Sequence, residues 1–244
     1  MTPWWREPAA IFDLETTGVN TRTDRVVSWC VGGVGHPLDS SLQPRVQAEL
    51  VNPGVPIPAG ASAVHGIFDQ HVRSTGNPPR ESLARAVELL ANAVKVGIPI
   101  MGMNLAYDFS LLHFECLRHG LPTVEQVAGH PLAPVLDAYV LDQRVDRYRA
   151  GSRKLAAIAG HYGVTLENAH DAVADAIASA DVVYAIAERY PAIGNTGLYL
   201  LHLNQVEWKA EQAAGLQAYK RRTDPSKVID PCWPYCVNPQ HTSG

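Results

Sequence analysis

The segment IFDLETTG carries two carboxylates two residues apart, Asp13 and Glu15, within an apolar run typical of a buried strand. Successive strand side chains alternate between faces, so both carboxylates point one way while Phe12 and Leu14 point into the core. Two like charges at the end of a buried strand are costly unless a cation lies between them. Taken alone, however, the pair is better explained as solvated acids, because carboxylate pairs are common on protein surfaces.

A third acid, Asp108, follows the apolar run IPIMGMN and falls in the first turn of the next predicted helix. An acid in that position interacts favourably with the helix dipole, which would explain it without any function. It would also lie beyond the carboxyl end of a strand, where α/β proteins bind ligands. Both interpretations stay open for Asp108 taken alone.

The segment NAHDAVADA places His170, Asp171 and Asp175 at the start of an alanine-rich helix. If that helix begins near Asp171, Asp175 lies one turn in and His170 lies in the preceding loop, from which a histidine could approach a site. Asp171 suits an N-cap or a first-turn acid better than a metal ligand.

The sequence predicts three strands first, then alternating helices and strands, then helices. This order indicates an α/β fold. We expect one main domain at about residues 1–190 and an extension at 191–244, made of a helix and an extended tail. Residues 52–61 are too rich in Pro and Gly for regular structure. Strands are predicted at 9–14, 25–34, 45–53, 98–104 and the start of 133–145. Helices are predicted at 80–96, 106–120, the rest of 133–145, 171–189 and along the stripe 201–219. A further helix is predicted from a cap at Ser152 to about residue 161.

Composition narrows the function classes only slightly. The 244 residues carry a formal net charge of -4, which argues against a broad basic surface for nucleic acid but not against an enzyme that meets phosphates through bound cations. The N-terminus lacks the features of a signal peptide, and no apolar run has membrane-spanning length, so we expect a cytoplasmic protein with no membrane partner. Cys30 and Cys116 lie in apolar surroundings and are interpreted as reduced core residues.

Taken together and in order, IFDLETTG, HGI (65–67), NLAYD (104–108) and HDAVAD (170–175) resemble the DEDDh family of 3′–5′ exonucleases, over about residues 8–185. Within that family the motifs are most similar to the epsilon-type proofreading exonucleases of bacterial DNA polymerase III. The family fold is a ribonuclease-H-like mixed sheet flanked by helices, which agrees with the α/β prediction; here we expect a C-terminal helical extension as well.

The resemblance implies a role for each matching position. The four acids would hold two divalent cations, His170 would be the general base, and three further residues would contact the terminal nucleotide. The implied partner is a nucleic acid 3′ end, with DNA favoured, and a DNA polymerase subunit is a further candidate. The matching metal ligands are Asp13, Glu15, Asp108 and Asp175, and the matching substrate contacts are Thr16, Thr17 and His65.

These residue types suit phosphodiester hydrolysis. Two metals about 3.5–4 Å apart lower the pKa of the attacking water and stabilise the departing 3′ oxygen. Hard oxygen ligands favour Mg²⁺ or Mn²⁺ over zinc. A neutral histidine then takes the proton from the water. We therefore expect stepwise release of nucleoside 5′-monophosphates from a free 3′ end.

Three other functional interpretations compete with this one. His170 and Asp171 could belong to an HD-type phosphohydrolase, but the strands before residue 104 argue against its all-helical fold. An exoribonuclease of the same family would trim RNA with the same residues. A non-catalytic nucleic-acid or polymerase-binding module could keep the fold, but the presence of all four acids and the histidine makes it a minority interpretation.

The C-terminal segment also contains candidate sites. Cys232 and Cys236, with His241, offer only three of the four ligands that a structural zinc needs, so we favour an ordinary reduced tail. The helical stripe from Leu201 to Tyr219 is interrupted by glutamines. It could dock a partner, but we favour packing on the main domain with the glutamines at the boundary.

Overall fold

One mixed sheet of five strands organises the chain, in a computed structural model that describes residues 3–37, 43–166 and 171–237. The strand order is β3-β2-β1-β4-β5; β1 is antiparallel to β2 and parallel to β4. The predicted mixed arrangement is therefore confirmed. The strands are β1 (Ala9–Thr16), β2 (Val26–Val34), β3 (Arg45–Leu50), β4 (Ile100–Gly102) and β5 (Val135–Asp137).

Helices connect and cover these strands. The helix after β4 begins at Leu105 and ends at His119, and Gly120, with a φ of 62°, supplies the left-handed cap that the sequence predicted. The helices within the described residues are α1 (Ala59–His65), α2 (Asp69–Thr75), α3 (Pro79–Val96), α4 (Leu105–His119), α5 (Val124–Ala128), α6 (Ala138–Val145), α7 (Leu155–Tyr162), α8 (Ala172–Arg189), α9 (Pro191–Gly194) and α10 (Leu198–Lys220), with a short 3₁₀ turn at Trp4–Arg6.

The central strand β1 separates two apolar clusters. Phe12 and Leu14 belong to the cluster formed with α3 and α4, as the alternation predicted. Ile11, on the opposite face, belongs to the cluster formed with α6, α7 and α8. Asp13 and Glu15 continue the Ile11 face, since side chains two residues apart share a face. The two carboxylates therefore point toward the side of the sheet that α8 covers.

The edge strand β5 is covered by polar side chains of α10. The side-chain oxygen of Gln205 accepts a hydrogen bond from the Asp137 amide at 2.8 Å, and its nitrogen donates to the Val135 carbonyl at 3.0 Å. The Val135 amide donates to His202 Nδ1 at 3.2 Å. These bonds satisfy backbone groups that an edge strand would otherwise leave unpaired.

The prediction that α10 packs on the main domain is correct for the N-terminal part of the stripe. Leu201 and Gln205 are fully buried, whereas Leu216 and Tyr219 are 42% and 62% exposed. Gln205 lies inside the interface and not at its boundary, because it replaces a neighbouring strand. The division near residue 190 stays a prediction, and no helix among the described residues is long and apolar enough to cross a membrane.

Two local expectations were wrong. Helix α1 begins at Ala59, inside the stretch expected to lack regular structure, because Pro58 fits the N-terminal end of a helix. Lys154, and not Ser152, occupies the N-cap position of α7, without a side-chain hydrogen bond to the helix. The Ser152 hydroxyl accepts a hydrogen bond from the Lys154 amide in the preceding turn. Cys30 and Cys116 are buried free thiols, as predicted.

The glutamine that covers β5 should contribute strongly to stability. We expect Gln205→Leu to lower the free energy of unfolding by about 2–4 kcal/mol, because two buried backbone groups lose their partners. Gln212→Leu is the matched control: its half-buried side chain donates a single hydrogen bond, to the Val140 carbonyl. Urea unfolding of both variants provides the measurement, and equal losses would show that Gln205 is an ordinary helix residue.

Candidate active site

The four predicted carboxylates come together from three elements. Asp13 and Glu15 lie on β1, Asp108 in the first turn of α4 and Asp175 in the first turn of α8. The pKa of Asp13 is raised well above its ordinary value, first by burial and then by the charges of the other three acids. Charges in a buried region influence one another over several ångströms. The structure therefore brings these four acids, here called the carboxylate cluster, to one end of β1.

Helix α4 is tied directly to β1 through Asp108. Its carboxylate accepts a hydrogen bond from the Leu14 amide at 3.1 Å, and the side chain is only 4% exposed. Burial raises the pKa of Asp108, while this hydrogen bond acts in the opposite direction. Asn104 precedes the helix in the left-handed region, with φ 60° and ψ 39°. This turn brings the first turn of α4 back across the end of β1.

Glu15 lies at the side of the cluster that faces α8. Burial, and then the charges of Asp175 and Asp171, together raise the pKa of Glu15 to about 7. The start of α8 is therefore close to the end of β1. This proximity agrees with the expectation that the HDAVAD segment contributes to the same site as IFDLETTG.

Asp171 and Asp175 have different positions on α8, as the sequence predicted. The Asp171 carboxylate accepts hydrogen bonds from the amides of Val173 and Ala174, each at 3.0 Å, and is the N-cap. Asp175 lies in the first turn, among the four acids. His170, the predicted general base, lies outside the described residues, so its role stays a prediction.

The two threonines after Glu15 have different hydrogen-bond partners. The Thr16 hydroxyl donates to the Gly18 carbonyl at 2.8 Å and lies 2.6 Å from the Tyr107 hydroxyl. The Thr17 hydroxyl is buried; it donates to Asp24 and accepts from the Arg25 amide. Thr17 thus stabilises the loop that follows β1, and its predicted contact with a nucleotide stays a prediction.

His65 is held with one nitrogen ready to donate. Its Nδ1 accepts a hydrogen bond from the Ile67 amide at 3.0 Å, which leaves the proton of the neutral ring on Nε2. Burial lowers the pKa of His65, while the nearby Thr16 backbone acts in the opposite direction. Nε2 is buried, and no hydrogen-bond partner for it exists within the described part of the chain. His65 thus lies beside the Thr16 backbone, near the end of β1.

The carboxylate cluster fits divalent cations. It offers hard oxygen atoms from four side chains, the donors that Mg²⁺ and Mn²⁺ prefer. Among the described residues, no Lys or Arg forms an ion pair with Asp13, Glu15 or Asp108. Burial and neighbouring acids raise the pKa values of Asp13, Glu15 and Asp108, so cations that neutralise these charges would stabilise the cluster.

Two further residues, which the sequence motifs did not indicate, organise this site. The buried Asp137 carboxylate accepts hydrogen bonds from the amides of Asn104 and Leu105, and so fixes the start of α4. Tyr107 joins Thr16 to Gly18 through its hydroxyl. Asp137 lies at the end of strand β5, as the motif acids lie at or after strand ends. This position was the only feature of the sequence that could have indicated its role. Tyr107 had no such feature beyond its place in NLAYD.

A sequence model of the exonuclease family matches residues 10–183, well over half of the chain. The chain belongs to the exonuclease family. An epsilon-like protein of DNA polymerase III from Rhodobacter capsulatus is 30% identical over 200 residues, which are 81% of this chain and 26% of the relative. A PolC-type DNA polymerase III from Pediococcus pentosaceus is 26% identical over 176 residues, which are 71% of this chain and 11% of the relative.

This exonuclease-family chain thus spans about a tenth to a quarter of the length of those relatives. Among solved structures it is similar to exonuclease I, with a TM-score of 0.64 at 19% identity over 78% of this chain and 42% of the other. E. coli exonuclease I in complex with a dT13 oligonucleotide gives a TM-score of 0.61, also at 19% identity, over 78% and 43%. The predicted ribonuclease-H-like fold and the resemblance to epsilon-type exonucleases are confirmed.

The carboxylate cluster should make stability depend on pH and on metal. Folding raises the pKa of Glu15 from 4.5 to about 7, so its contribution to stability falls as pH rises through this window and is least favourable above it. In a chelator at pH 8, Glu15→Gln should therefore be more stable than the unmodified protein by about 1–3 kcal/mol, with a smaller difference at pH 5.

Chemical unfolding at both pH values, with and without Mn²⁺, provides the measurement. Mn²⁺ should stabilise the unmodified protein more than Glu15→Gln. The control is Glu188→Gln, which changes an exposed glutamate on the same helix as Asp175. If Glu15→Gln were the less stable protein at pH 8 without metal, the repulsion ascribed to Glu15 would be wrong.

Proposed function

We propose that this chain is a metal-dependent 3′–5′ exonuclease of the DEDDh type that acts on DNA. It removes nucleoside 5′-monophosphates from a free 3′ end, with single-stranded or frayed ends preferred. The observation that supports it best is the convergence of Asp13, Glu15, Asp108 and Asp175 from three separate elements in a chain of the exonuclease family.

Asp13, Glu15, Asp108 and Asp175 would hold two divalent cations, Mg²⁺ or Mn²⁺. Bound there, the cations supply activation of the attacking water and charge stabilisation at the phosphate and the departing 3′ oxygen. The chain fixes where this occurs, because Asp108 is anchored to β1 through the Leu14 amide and α8 is capped by Asp171. Rigid elements, not loops, therefore carry the four acids.

The remaining chemistry belongs to side chains around the cluster. His170 would accept the proton of the attacking water, and Asp171, its neighbour in the sequence, is close enough to Glu15 to raise the pKa of that acid. His65 would donate from Nε2 to the terminal nucleotide. It lies beside the backbone of Thr16, another proposed contact of that nucleotide. Thr16 would contact the same nucleotide from the end of β1.

DNA is favoured over RNA through the relatives. The epsilon-like and PolC-type proteins are named for DNA polymerase III, and exonuclease I has been solved with a DNA oligonucleotide. Because these relatives are named for DNA polymerase III, the proposed protein partner is a DNA polymerase subunit. An exoribonuclease and a non-catalytic binding module are the outcomes that the experiments must separate from this proposal.

Degradation of labelled oligonucleotides tests the proposal. With Mg²⁺ or Mn²⁺, we expect a 5′-labelled single strand of DNA to shorten stepwise and a chelator to stop the reaction. The panel includes matched and mismatched duplex ends and an RNA of the same sequence. Faster loss of RNA would identify an exoribonuclease, and an intact panel with retained oligonucleotide binding would identify a non-catalytic module.

Two aspartates on the same helix provide a matched pair. Asp175→Asn should abolish the nuclease activity because it removes a metal ligand. Asp171→Asn should leave kcat nearly unchanged, because asparagine is an equally good N-cap. Rates on the single-stranded substrate, with circular dichroism as a check on folding, decide the matter; equal losses in the two variants would contradict the assignment.

The general base and a β1 acid are tested in the same assay. His170→Ala should lower kcat by about 10²–10⁴-fold, the usual contribution of a general base. Asp13→Ala should abolish activity, because it removes a proposed metal ligand. Asp13 is also the acid whose pKa is raised by the charges of all three others. Wild-type rates in His170→Ala would show that another group accepts the proton.

A further inference from the structure

The segment after α10, residues 224–237, is an extended strap that lies against α4 and β5. Trp233 is only 5% exposed, and its indole N–H donates to the Asp137 carboxylate at 3.2 Å. The Cys236 amide donates to the Ser110 hydroxyl at 2.7 Å, and the Tyr235 ring stacks on His113. The strap is thus fixed on both sides of residue 234.

Three potential metal ligands meet within this strap. One ligand atom from each of Asp230, Cys232 and Cys236 lies within 4.8 Å of the other two. The Cys232 amide donates to one carboxylate oxygen of Asp230 at 2.8 Å, which orients that side chain toward the two sulfurs. The two cysteines thus lie close together on either side of the buried Trp233, although three residues separate them.

We propose that Asp230, Cys232 and Cys236 form a binding site for a thiophilic divalent cation, with zinc as the first candidate. Two thiolates and a carboxylate are ligands that zinc commonly takes. Sulfur atoms bound to one tetrahedral zinc lie about 3.5–4 Å apart, so the observed spacing needs little rearrangement. The site is separate from the carboxylate cluster, whose hard oxygen donors select other cations.

The surroundings of the three ligands support this site. They line one side of a cavity of about 180 Å³, whose other walls include Lys209, Tyr107 and Arg22. Two thiolates and a carboxylate carry one negative charge more than the cation, and Lys209 offers a compensating positive charge. A water molecule or a small anion from this cavity could supply a fourth ligand.

A metal here would stabilise the region that positions Asp108. The strap contacts Ser110 on α4, and through Trp233 it contacts Asp137, which holds the amides of Asn104 and Leu105. A cation bound to Asp230, Cys232 and Cys236 would fix the strap against these contacts. We therefore infer that this metal has a structural role beside the active site.

Titration of the reduced full-length protein with Co²⁺ tests the site directly. Co²⁺ substitutes for zinc, and its bonds to thiolates give an intense ultraviolet charge-transfer absorption that oxygen ligands do not give. We expect this absorption to saturate at one equivalent and to disappear when zinc is added. The four acids of the carboxylate cluster offer no sulfur, although the Cys30 thiol lies near Asp13 and Asp108. An absorption from the strap should therefore persist in Cys30→Ser, and it does not depend on the proposed nuclease activity.

Matched variants identify the ligands. Cys232→Ser and Cys236→Ser should each lose the absorption, and Asp230→Asn should weaken Co²⁺ binding. Cys116→Ser and Asp224→Asn, which change a thiol and an acid elsewhere, should retain it, and circular dichroism confirms that each variant is folded. The proposal would be overturned if protein with all four thiols reduced gave no cobalt–thiolate absorption. It would also be overturned if the absorption persisted in both cysteine variants.

Discussion

Mutual repulsion among Asp13, Glu15, Asp108 and Asp175 is the constraint on which the rest of the structure depends. Each acid is costly to bury beside the others, as the raised pKa values of Asp13 and Glu15 show. The fold nevertheless brings them together on β1, α4 and α8, elements that are themselves well packed. Functional sites commonly contain groups that destabilise the fold locally, and a cation bound among these acids would reduce their repulsion.

The surrounding hydrogen bonds act against this repulsion. Asp108 is held by the Leu14 amide, and Asp171 caps α8. Asp137 connects three regions: it accepts from the start of α4 and from Trp233, and its own amide donates to Gln205 of α10. The C-terminal extension is therefore joined to the candidate active site partly through this buried carboxylate, although it lies far from the motif residues in sequence.

The local patterns predicted most of this arrangement. Alternation on β1 placed Asp13 and Glu15 opposite Phe12, and capping rules separated Asp171 from Asp175. Contacts between distant segments were not predictable in the same way. Gln205 looked like a boundary residue, because nothing local shows that it completes an edge strand. Asp230 was missed as a possible ligand, because its proximity to Cys232 and Cys236 depends on how Trp233 anchors the strap.

The proposed function requires the four acids to form a two-cation site. Crystals soaked in Mn²⁺ with a nucleoside 5′-monophosphate can be measured at the manganese absorption edge. Two anomalous peaks bounded by Asp13, Glu15, Asp108 and Asp175 are expected, with the phosphate of the nucleotide against them. An absence of peaks at these carboxylates, or peaks only beside Cys232 and Cys236, would contradict the proposed two-cation site.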